Sequence, residues 1–447
     1  MKPNRNDPCP CGSGKKHKHC CERKTEAQPA IPAVELNQLG MLFNAGRFAE
    51  VATRAVALLE HYPEEPAVWK LLAMSLQMQG KAALPAFQKT AELLPADAGA
   101  QMNLGNALQD AKRLNEAVLS YQRALAIKPG FAEAHNNLAS VFAELGQFEQ
   151  AAASYRRAIQ VKPDFASAHS GLGGVLRNLG QLNEAVASYR RAIKAQPNFA
   201  EAHNDLGVTL RDLGQFEQAI DSYRQALRIQ PDFAEVQGNL GAALRDIGQL
   251  DSALICFRSV LDLHPHDAET LGNLGLTLHD LGKFDEAVSC YQKALVIDPN
   301  YAEAHNNLGF SLLMLKQYEN AAISYRRAIE INPSYVKAYN HLGIALHYLG
   351  QFDEAVTNYR CALTINPSFA EVHNNLGLSQ IALGQIDDAQ ISFRHALEIK
   401  HDYFAAHTNL LLALNYTTQH SPAEYLAEAL RYGENIAEKV TSRFTTW

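Results

Sequence analysis

The sequence lacks several features that would point directly to a class of partner. Its 447 residues carry a formal net charge of −7, which argues against a chain that binds nucleic acid along its whole length. It contains no run of about 18 apolar residues, and its N-terminus, MKPNRNDPCP, has no apolar stretch of the kind found in signal peptides. We therefore expect a cytoplasmic protein that neither inserts into membranes nor binds nucleic acid.

Short motifs of common catalytic sites are also missing. The repeated region described below has no glycine-rich phosphate loop, no HExxH zinc motif and no nucleophile elbow. We therefore predict that the chain as it stands is not an enzyme.

Cysteine is scarce and unevenly distributed. The chain has seven cysteines, and three are scattered over its second half, so their spacing predicts no disulfide framework. The other four fall within CPCGSGKKHKHCC, residues 9–21, and four thiolates suit a closed tetrahedral zinc site. A redox-active or accidental cysteine cluster in a disordered tail is the alternative. The predicted zinc ligands are Cys9, Cys11, Cys20 and Cys21.

The segment DPCPCGSGKKHKHCC, residues 7–21, resembles the SEC-C motif, a small zinc-binding module known from the SecA preprotein translocase motor. This resemblance implies a zinc-binding module over residues 1–24, followed by a linker over residues 25–34. The last ligand of that family is His or Cys and corresponds here to Cys21, with His19 as an alternative. Family analogy implies docking onto a partner protein, and the basic residues between 15 and 19 predict an acidic surface on that partner.

A single pattern of 34 residues fills most of the remaining chain. With Ala132 as position 1, leucine occupies position 7, glycine nearly always occupies position 8, and Tyr or Phe occupies position 24. Alanine recurs at positions 20 and 27, as expected where two helices approach closely. The prolines that mark the period stand at 129, 163, 197, 231, 265, 299, 333 and 367.

Each repeat predicts two helices. Positions 1 to 14 carry apolar residues at helical spacing, a glycine at position 15 such as Gly146 ends the first helix, and the proline at position 32 ends the second. Neither helix can bury its apolar stripe alone, whereas stacked pairs cover one another. The pattern therefore predicts a solenoid of helical hairpins.

These residues resemble the tetratricopeptide repeat. The resemblance covers nine clear repeats over residues 98–403 and two divergent repeats over residues 32–97, and we expect capping or connecting helices over residues 404–447. It implies an all-α fold, a right-handed superhelical solenoid preceded by the small zinc-binding motif. In this family the first helix of each pair lines a groove, which implies a scaffold for protein or peptide partners.

Two polar positions recur on the first helix of each pair. Asparagine is common at position 6 and aspartate at position 13, which lies within about 20° of the same helix face. An asparagine side chain complements a peptide unit, so a row of them can hold an extended polypeptide by its backbone. Alternatively, these asparagines satisfy neighbouring helix ends or face water. The predicted peptide-binding residues are Asn103, Asn137, Asn239, Asn273, Asn307, Asn375 and Asn409, with Asp212, Asp246 and Asp280 and the equivalent Asp110 at position 13.

Other recurring residues favour packing over chemistry. Gly171, Asp205 and His341 interrupt the asparagine row at position 6. Histidine at position 4 stands where the family has an aromatic packing residue, so we expect it between helices rather than on a metal. The cysteines of the second helices are expected to be small core residues.

The segment 409–440 resembles the connector between repeats and catalytic region in bacterial O-GlcNAc-transferase-like (SPINDLY-type) glycosyltransferases, and the asparagine row resembles their repeat arm. Ser421, Pro422 and Glu424 predict the start of a helix there. The sequence therefore favours a non-catalytic adaptor that binds extended polypeptides and carries a zinc-binding docking module. The alternative is the substrate-recognition arm of a truncated glycosyltransferase of this type that lacks its catalytic domain.

Overall fold

The computed structural model describes Cys9, Lys16, residues 31–416 and residues 422–444. Residues 31–416 form paired helices joined by short turns, and one further helix covers residues 422–444. The chain divides into two compact units, unit 1 over Met1–Gly214 and unit 2 over Gln215–Trp447. The predicted all-α class is confirmed. None of the described helices combines the length and the apolar character needed to cross a bilayer.

Unit 1 is a stack of helical hairpins, in which the odd-numbered helices (A helices) start each pair and the even-numbered helices (B helices) complete it. Each B helix packs against its own A helix and against the A helix of the next pair. The helices are α1 (Ala33–Asn44), α2 (Phe48–His61), α3 (Pro66–Met78), α4 (Leu84–Leu93), α5 (Ala98–Asp110), α6 (Leu114–Ile127), α7 (Ala132–Glu144), α8 (Phe148–Val161), α9 (Ala166–Asn178), α10 (Leu182–Ala195) and α11 (Ala200–Asp212).

Unit 2 repeats this arrangement, and its successive A helices also contact one another directly. Its helices are α12 (Phe216–Ile229), α13 (Ala234–Asp246), α14 (Leu250–Leu263), α15 (Ala268–Asp280), α16 (Phe284–Ile297), α17 (Ala302–Met314), α18 (Tyr318–Ile331), α19 (Val336–Tyr348), α20 (Phe352–Ile365), α21 (Ala370–Ala382), α22 (Ile386–Ile399), α23 (Phe404–Asn415) and α24 (Pro422–Phe444).

The A helices end at a residue with a left-handed backbone conformation, as predicted from the glycine at position 15. Gly146 has a φ of 73°, a conformation that a side chain makes unfavourable. Two repeats have lysine at this position, and Lys112 and Lys316 keep the same conformation with φ of 58° and 57°. The turn geometry is therefore imposed by the stacking of the hairpins even where glycine is absent.

In most of the nine clear repeats, an aromatic ring lying on a glycine closes the core of the hairpin. A Cβ added to Gly105 in unit 1 would lie 2.6 Å from Cε1 of Tyr121, and a Cβ added to Gly343 in unit 2 would lie 2.4 Å from Cε1 of Tyr359. Both tyrosines are buried. Glycine at position 8 is thus required by close packing, since any side chain would displace the ring.

In five repeats, histidine at position 4 ties the hairpin to the end of the preceding one. Nε2 of His169 lies 2.8 Å from the carbonyl oxygen of Pro163, six residues earlier. Trp69 makes the same contact, donating from Nε1 to the carbonyl oxygen of Pro63 at 2.8 Å. A carbonyl oxygen only accepts, so Nε2 carries the proton and is not available to a metal. The histidines with this contact are His135, His169, His203, His305 and His373.

The last A helix differs because no proline precedes its histidine. His401 stands in the proline position, and the buried His407 has its Nε2 2.8 Å from Oε1 of Glu428 on α24. Helix α24 begins at Pro422, whereas Ser421 lies outside the described residues. The buried His407–Glu428 contact therefore attaches α24 to α23.

Candidate peptide-binding surface and metal site

The seven predicted asparagines all lie on A helices, and every one is half-buried. We use the name A face for the surface formed by positions 6, 9 and 13 of the A helices, taken separately in each unit. Unit 1 contributes Asn103 and Asn137, and unit 2 contributes Asn239, Asn273, Asn307, Asn375 and Asn409.

Hydrogen bonds connect these asparagines to the preceding repeat in unit 2. Nδ2 of Asn375 donates to Oδ1 of Asn340 at 3.1 Å, and Nδ2 of Asn409 donates to Oδ1 of Asn374 at 2.9 Å. Asn374 in turn donates from Nδ2 to Oδ1 of Asn375 at 3.4 Å. The amides therefore form a continuous hydrogen-bonded chain from α19 to α23.

Unit 1 has a similar connection with a different acceptor. Nδ2 of Asn137 donates to Oδ1 of Asn106 at 2.9 Å, and the hydroxyl of Tyr121 donates to the same oxygen at 2.7 Å. Asn136 donates from Nδ2 to Oδ1 of Asn137 at 3.2 Å. The asparagine of the A face is thus linked to the tyrosine that closes the core.

His341 replaces asparagine at position 6 and keeps the hydrogen bond to the preceding A helix. Its Nδ1 lies 3.1 Å from Oδ1 of Asn306, whose Nδ2 donates to Oδ1 of Asn307 at 3.1 Å. Burial lowers the pKa of His341 to about 4, with a smaller contribution from Lys337, so the ring is neutral at pH 7 and donates through Nδ1. The predicted interruption of the asparagine row at this residue is therefore the replacement of an amide donor by an imidazole donor.

Gly171 leaves a true gap in the asparagine row, and the cause is steric. A Cβ at Gly171 would lie 2.4 Å from Cζ of Tyr155. Position 8 in the repeat of Tyr155 is the buried Ala139 rather than glycine. Because the alanine occupies the space on which the ring lies in other repeats, the ring lies against α9 instead. Alanine at position 8 of one repeat, Ala139, and glycine at position 6 of the next, Gly171, are therefore two parts of the same packing arrangement.

The bonded asparagines keep part of their hydrogen-bonding capacity. Asn375 uses one N–H and one lone pair, which leaves it one N–H and one lone pair for another partner. Asn103 and Asn273 make no side-chain hydrogen bond within the described part of the chain. Both interpretations of the asparagines therefore have a basis in the structure, because these side chains join neighbouring helices and still present unused groups.

Sequence analysis missed the buried asparagines at position 5. Asn306, Asn340 and Asn374 are 4%, 7% and 5% exposed and supply the acceptors of the chain. The signal is the asparagine doublet at positions 5 and 6 of several repeats, since a buried amide requires an internal partner.

Carboxylates at position 13 of unit 1 pair with cations of the preceding repeat. Nε of Arg177 donates to Oδ2 of Asp212 at 2.7 Å. Nζ of Lys112 lies 3.2 Å from Oε2 of Glu144, the residue at position 13 in α7. The side chains of these pairs are a third or more exposed, and such pairs contribute about 1 kcal/mol at most.

The other predicted carboxylates differ in their surroundings. Asp246 has its Oδ1 3.9 Å from Nη2 of the adjacent Arg245. Asp110 and Asp280 are exposed at the ends of α5 and α15. Asp280 is thus an accessible negative charge on the A face of unit 2.

Positions 9 and 13 differ in chemistry between two sets of A helices, α5 to α11 in unit 1 and α17 to α23 in unit 2. In α5 to α11 they carry mainly polar side chains: Asn106, Asp110, Ser140, Glu144, Gly174, Asn178, Val208 and Asp212. In α17 to α23 all of them are apolar or aromatic, and we use the name apolar patch for these residues. The apolar patch consists of Phe310, Met314, Ile344, Tyr348, Leu378, Ala382, Leu412 and Tyr416.

Several side chains of the apolar patch are unusually exposed. Met314 is 48% exposed, Tyr348 61% and Tyr416 62%. Phe310 stacks on His279 and His341 with ring centroids 4.6 and 5.3 Å apart. Sequence analysis considered position 13 for its carboxylates alone and overlooked this change, which is visible once the repeats are aligned.

Of the predicted zinc ligands, Cys9 lies among the described residues, and it is 5% exposed. Cys11, Cys20, Cys21 and the alternative ligand His19 lie outside the described residues. Within the described part of the chain, no group of three or more His, Cys, Asp or Glu side chains is placed to hold a metal. The donor chemistry of four thiols with a buried Cys9 fits a tetrahedral zinc ion.

Of the other cysteines, two lie in the core of unit 2 as expected, whereas Cys361 on α20 is half-buried. Cys256 and Cys290 are buried on α14 and α16. Burial raises the pKa of Cys256 to about 11, so this thiol stays protonated at neutral pH and is a poor metal ligand.

Family models of the tetratricopeptide repeat match most of the chain. A model described as "TPR repeat" matches residues 105–146, 275–316 and 345–384. Models described as "Tetratricopeptide repeat" match residues 136–200, 175–232, 204–268, 302–335, 324–357 and 370–403. Together these matches cover more than half of the 447 residues.

The N-terminal segment matches a different family. The SEC-C motif model matches residues 5–23. The protein translocase subunit SecA of Halothermothrix orenii is 86% identical over 22 residues, which are 5% of this chain and 3% of that protein. The chain thus spans a very small part of the length of this relative.

Solved structures with similar helical repeats include MamA, at 31% identity over 38% of this chain and 92% of that chain, with a TM-score of 0.35. YrrB, described as a TPR protein with an unusual peptide-binding site, is 25% identical over 41% of this chain and 95% of its own, with a TM-score of 0.37. The APC/C hetero-tetramer Cut9–Hcn1 shows 15% identity over 85% of this chain and 89% of that chain, with a TM-score of 0.48.

Proposed function

Because this chain belongs to the tetratricopeptide repeat family, a family of non-catalytic protein-interaction scaffolds, we propose that it holds extended polypeptides along its A faces. The observation that supports this most is the row of half-buried asparagines on successive A helices. The asparagines that bond within the row keep an unused N–H and an unused lone pair.

Such a row recognises the backbone of a guest chain. An extended polypeptide presents alternating N–H and C=O groups, and each free amide can donate to one and accept from another. The hydrogen bonds among Asn340, Asn374, Asn375 and Asn409 hold the amides in one orientation before the guest arrives. Less side-chain freedom is therefore lost on binding, and the guest sequence is little restricted by these contacts.

The asparagines without an internal partner provide the sharpest test. We expect N103A/N273A to weaken binding of a fluorescent unfolded polypeptide, reduced and carboxymethylated α-lactalbumin, several-fold in fluorescence anisotropy. The urea midpoint should stay unchanged, because neither side chain bonds within the described part of the chain.

The matched variant N375A/N409A removes asparagines that join neighbouring helices. It should weaken binding and also lower the free energy of unfolding by about 1 kcal/mol per lost hydrogen bond. Unchanged capture in both variants, with a loss of stability in either, would show that the row serves packing alone.

For the N-terminal module we propose one zinc ion held by Cys9, Cys11, Cys20 and Cys21. The SEC-C match over residues 5–23, the four thiols and the buried Cys9 support this. Zinc would supply most of the folding free energy of so short a segment. The lysines and histidines between residues 15 and 19 would favour an acidic surface on the protein to which the module docks.

Elemental analysis tests the zinc proposal. Purified protein should contain about one zinc per chain, and C9S/C11S should release it. The far-UV helical signal should not change, because the repeats fold through contacts with their neighbours. The control C256S/C290S should retain the metal. Zinc-free wild-type protein, or full retention in C9S/C11S, would contradict the assignment.

A second candidate is the substrate-recognition arm of an O-GlcNAc-transferase-like glycosyltransferase. It is favoured by the asparagine row and by the attachment of α24 to α23 through His407 and Glu428. The DNA sequence downstream of codon 447 tests it. A continuing frame with alternating strand and helix patterns would favour the enzyme, and a frame without such patterns would favour the scaffold.

A further inference from the structure

The apolar patch of unit 2 is a feature of the A face that the asparagine row does not explain. It extends over α17, α19, α21 and α23, and each of these A helices contacts the next. Its most exposed members, Met314, Tyr348 and Tyr416, lie at position 13, where α5 to α11 of unit 1 have carboxylates and an asparagine. Continuous exposed apolar surface of this kind marks an interaction site.

The spacing of the patch limits the conformation of a partner. Packed helices lie about 8–10 Å apart, so the patch offers one apolar position per 8–10 Å along the stack. A polyproline II segment rises about 3.1 Å per residue with three residues per turn, so residues i and i+3 point the same way about 9 Å apart. This conformation leaves the backbone N–H and C=O groups unpaired, and the asparagines at position 6 can bind them.

Charge defines one end of the patch. Asp280 is exposed at position 13 of α15, next to α17, while positions 9 and 13 of α17 to α23 carry no charge. The ring of His279, the neighbour of Asp280 in sequence, stacks on Phe310, so the C-terminal end of α15 lies against the patch. A cation on the partner would therefore be favoured at this end and nowhere else along these positions.

We propose that the apolar patch binds a polyproline II segment of a partner protein with an apolar side chain at every third residue and a Lys or Arg at the end that meets Asp280. This inference rests on the proposed function and specifies the guest of unit 2.

Two labelled peptides of identical composition test the spacing. The first carries an N-terminal lysine and three phenylalanines at every third position among prolines. The second has the same residues with the phenylalanines adjacent. We expect the in-phase peptide to bind at least tenfold more tightly in fluorescence anisotropy, because only its rings reach successive A helices. Equal affinity for both peptides would overturn the proposal.

Variants locate the binding. M314E/Y348D places residues of the unit 1 type on exposed positions and should lower affinity for the in-phase peptide at least tenfold. The matched unit 1 variant S140A/E144Q should leave it unchanged. D280N should weaken the lysine peptide a few-fold at low salt and leave a peptide with norleucine in place of lysine unaffected. Retained binding in M314E/Y348D would overturn the assignment, provided that its circular dichroism matches the wild type.

The same variants separate this inference from the proposed function. If N103A/N273A loses capture of carboxymethylated α-lactalbumin while M314E/Y348D binds the in-phase peptide normally, the scaffold stands and the patch assignment is wrong. If the wild type forms a concentration-dependent dimer in sedimentation velocity that M314E/Y348D abolishes, and the in-phase peptide does not compete with it, a second copy covers the patch and the peptide proposal is overturned.

Discussion

Unit 1 and unit 2 are built from the same hairpin but present different surfaces. In both, a buried tyrosine lies on a position 8 glycine, as Tyr121 does on Gly105 and Tyr359 on Gly343. On the A face, unit 1 carries paired charges such as Arg177 and Asp212, whereas unit 2 carries the apolar patch. The two units therefore share the same core packing and differ at the exposed positions 9 and 13 of their A helices.

This difference shows where specificity can change without loss of the fold. Positions 8, 20 and 24 are enclosed by neighbouring helices, so their side-chain volumes are restricted by packing. Positions 9 and 13 touch fewer neighbours and tolerate asparagine, glutamate, phenylalanine or methionine. We infer that α5 to α11 of unit 1 suit polar segments of a partner and that α17 to α23 of unit 2 suit apolar ones.

Acid should affect the two units differently, and this is the largest effect we expect. At position 6, unit 2 has His341 where unit 1 has asparagine in α7. Between pH 6.5, the ordinary pKa of histidine, and about 4, the folded-state value, the unfolded chain binds a proton that the folded chain does not. Stability from this residue is therefore complete above pH 6.5 and decreases toward pH 4, by about 3 kcal/mol.

The comparison variant is H341N, which restores the amide found in most repeats. Urea unfolding of wild type and H341N at pH 7 and pH 4.5 should show a smaller acid loss in the variant, and the transition of unit 2 should move most. An identical acid loss in both proteins would show that His341 does not distinguish the units.

Alanine at position 8 tests whether the two cores are equivalent. G105A and G343A should each lower the free energy of unfolding by about 1–3 kcal/mol, because a Cβ would overlap the tyrosine ring. G238A is the control, since no other atom lies within 4 Å of a Cβ there, and it should be neutral or stabilising by up to about 1 kcal/mol. A large loss of stability in only one of the two variants would show that the cores of the two units are not equivalent.

Adding an asparagine at position 6 of α9 is the smallest expected change. G171N alone should be destabilising because its Cβ would lie 2.4 Å from Tyr155. In A139G/G171N the ring can return to the position 8 glycine, so a double-mutant cycle should show a favourable coupling of about 1 kcal/mol. If the effects of A139G and G171N on the free energy of unfolding were additive, Ala139 and Gly171 would not belong to one packing arrangement.

Much of the fold could be predicted from the sequence because the same pattern of residues recurs many times along the chain. Regular prolines, the glycine at position 15 and the aromatic residue at position 24 act locally or between adjacent hairpins, so each copy supports the same interpretation. Lys112 and Lys316 show the limit of this reasoning, because stacking holds both in the left-handed conformation without glycine.

The candidate site was less predictable, because its hydrogen bonds join residues about one repeat apart. Whether Asn375 is free or bonded depends on Asn340 in the preceding A helix, and no local pattern reveals that pairing. The gap at Gly171 likewise depends on Ala139 in another repeat. Zinc binding by residues 9–21 stays a prediction, since most of its ligands lie outside the described residues.

Within each unit the described hairpins contact the hairpins next to them in sequence, and the tie between His169 and Pro163 recurs almost unchanged in other repeats. Unequal recombination that deletes or duplicates one full period would therefore join two surfaces that already fit. Such events lengthen or shorten the binding surface of the protein by whole repeats. Each repeat adds or removes one position for a side chain of the guest, and the core packing between repeats stays the same.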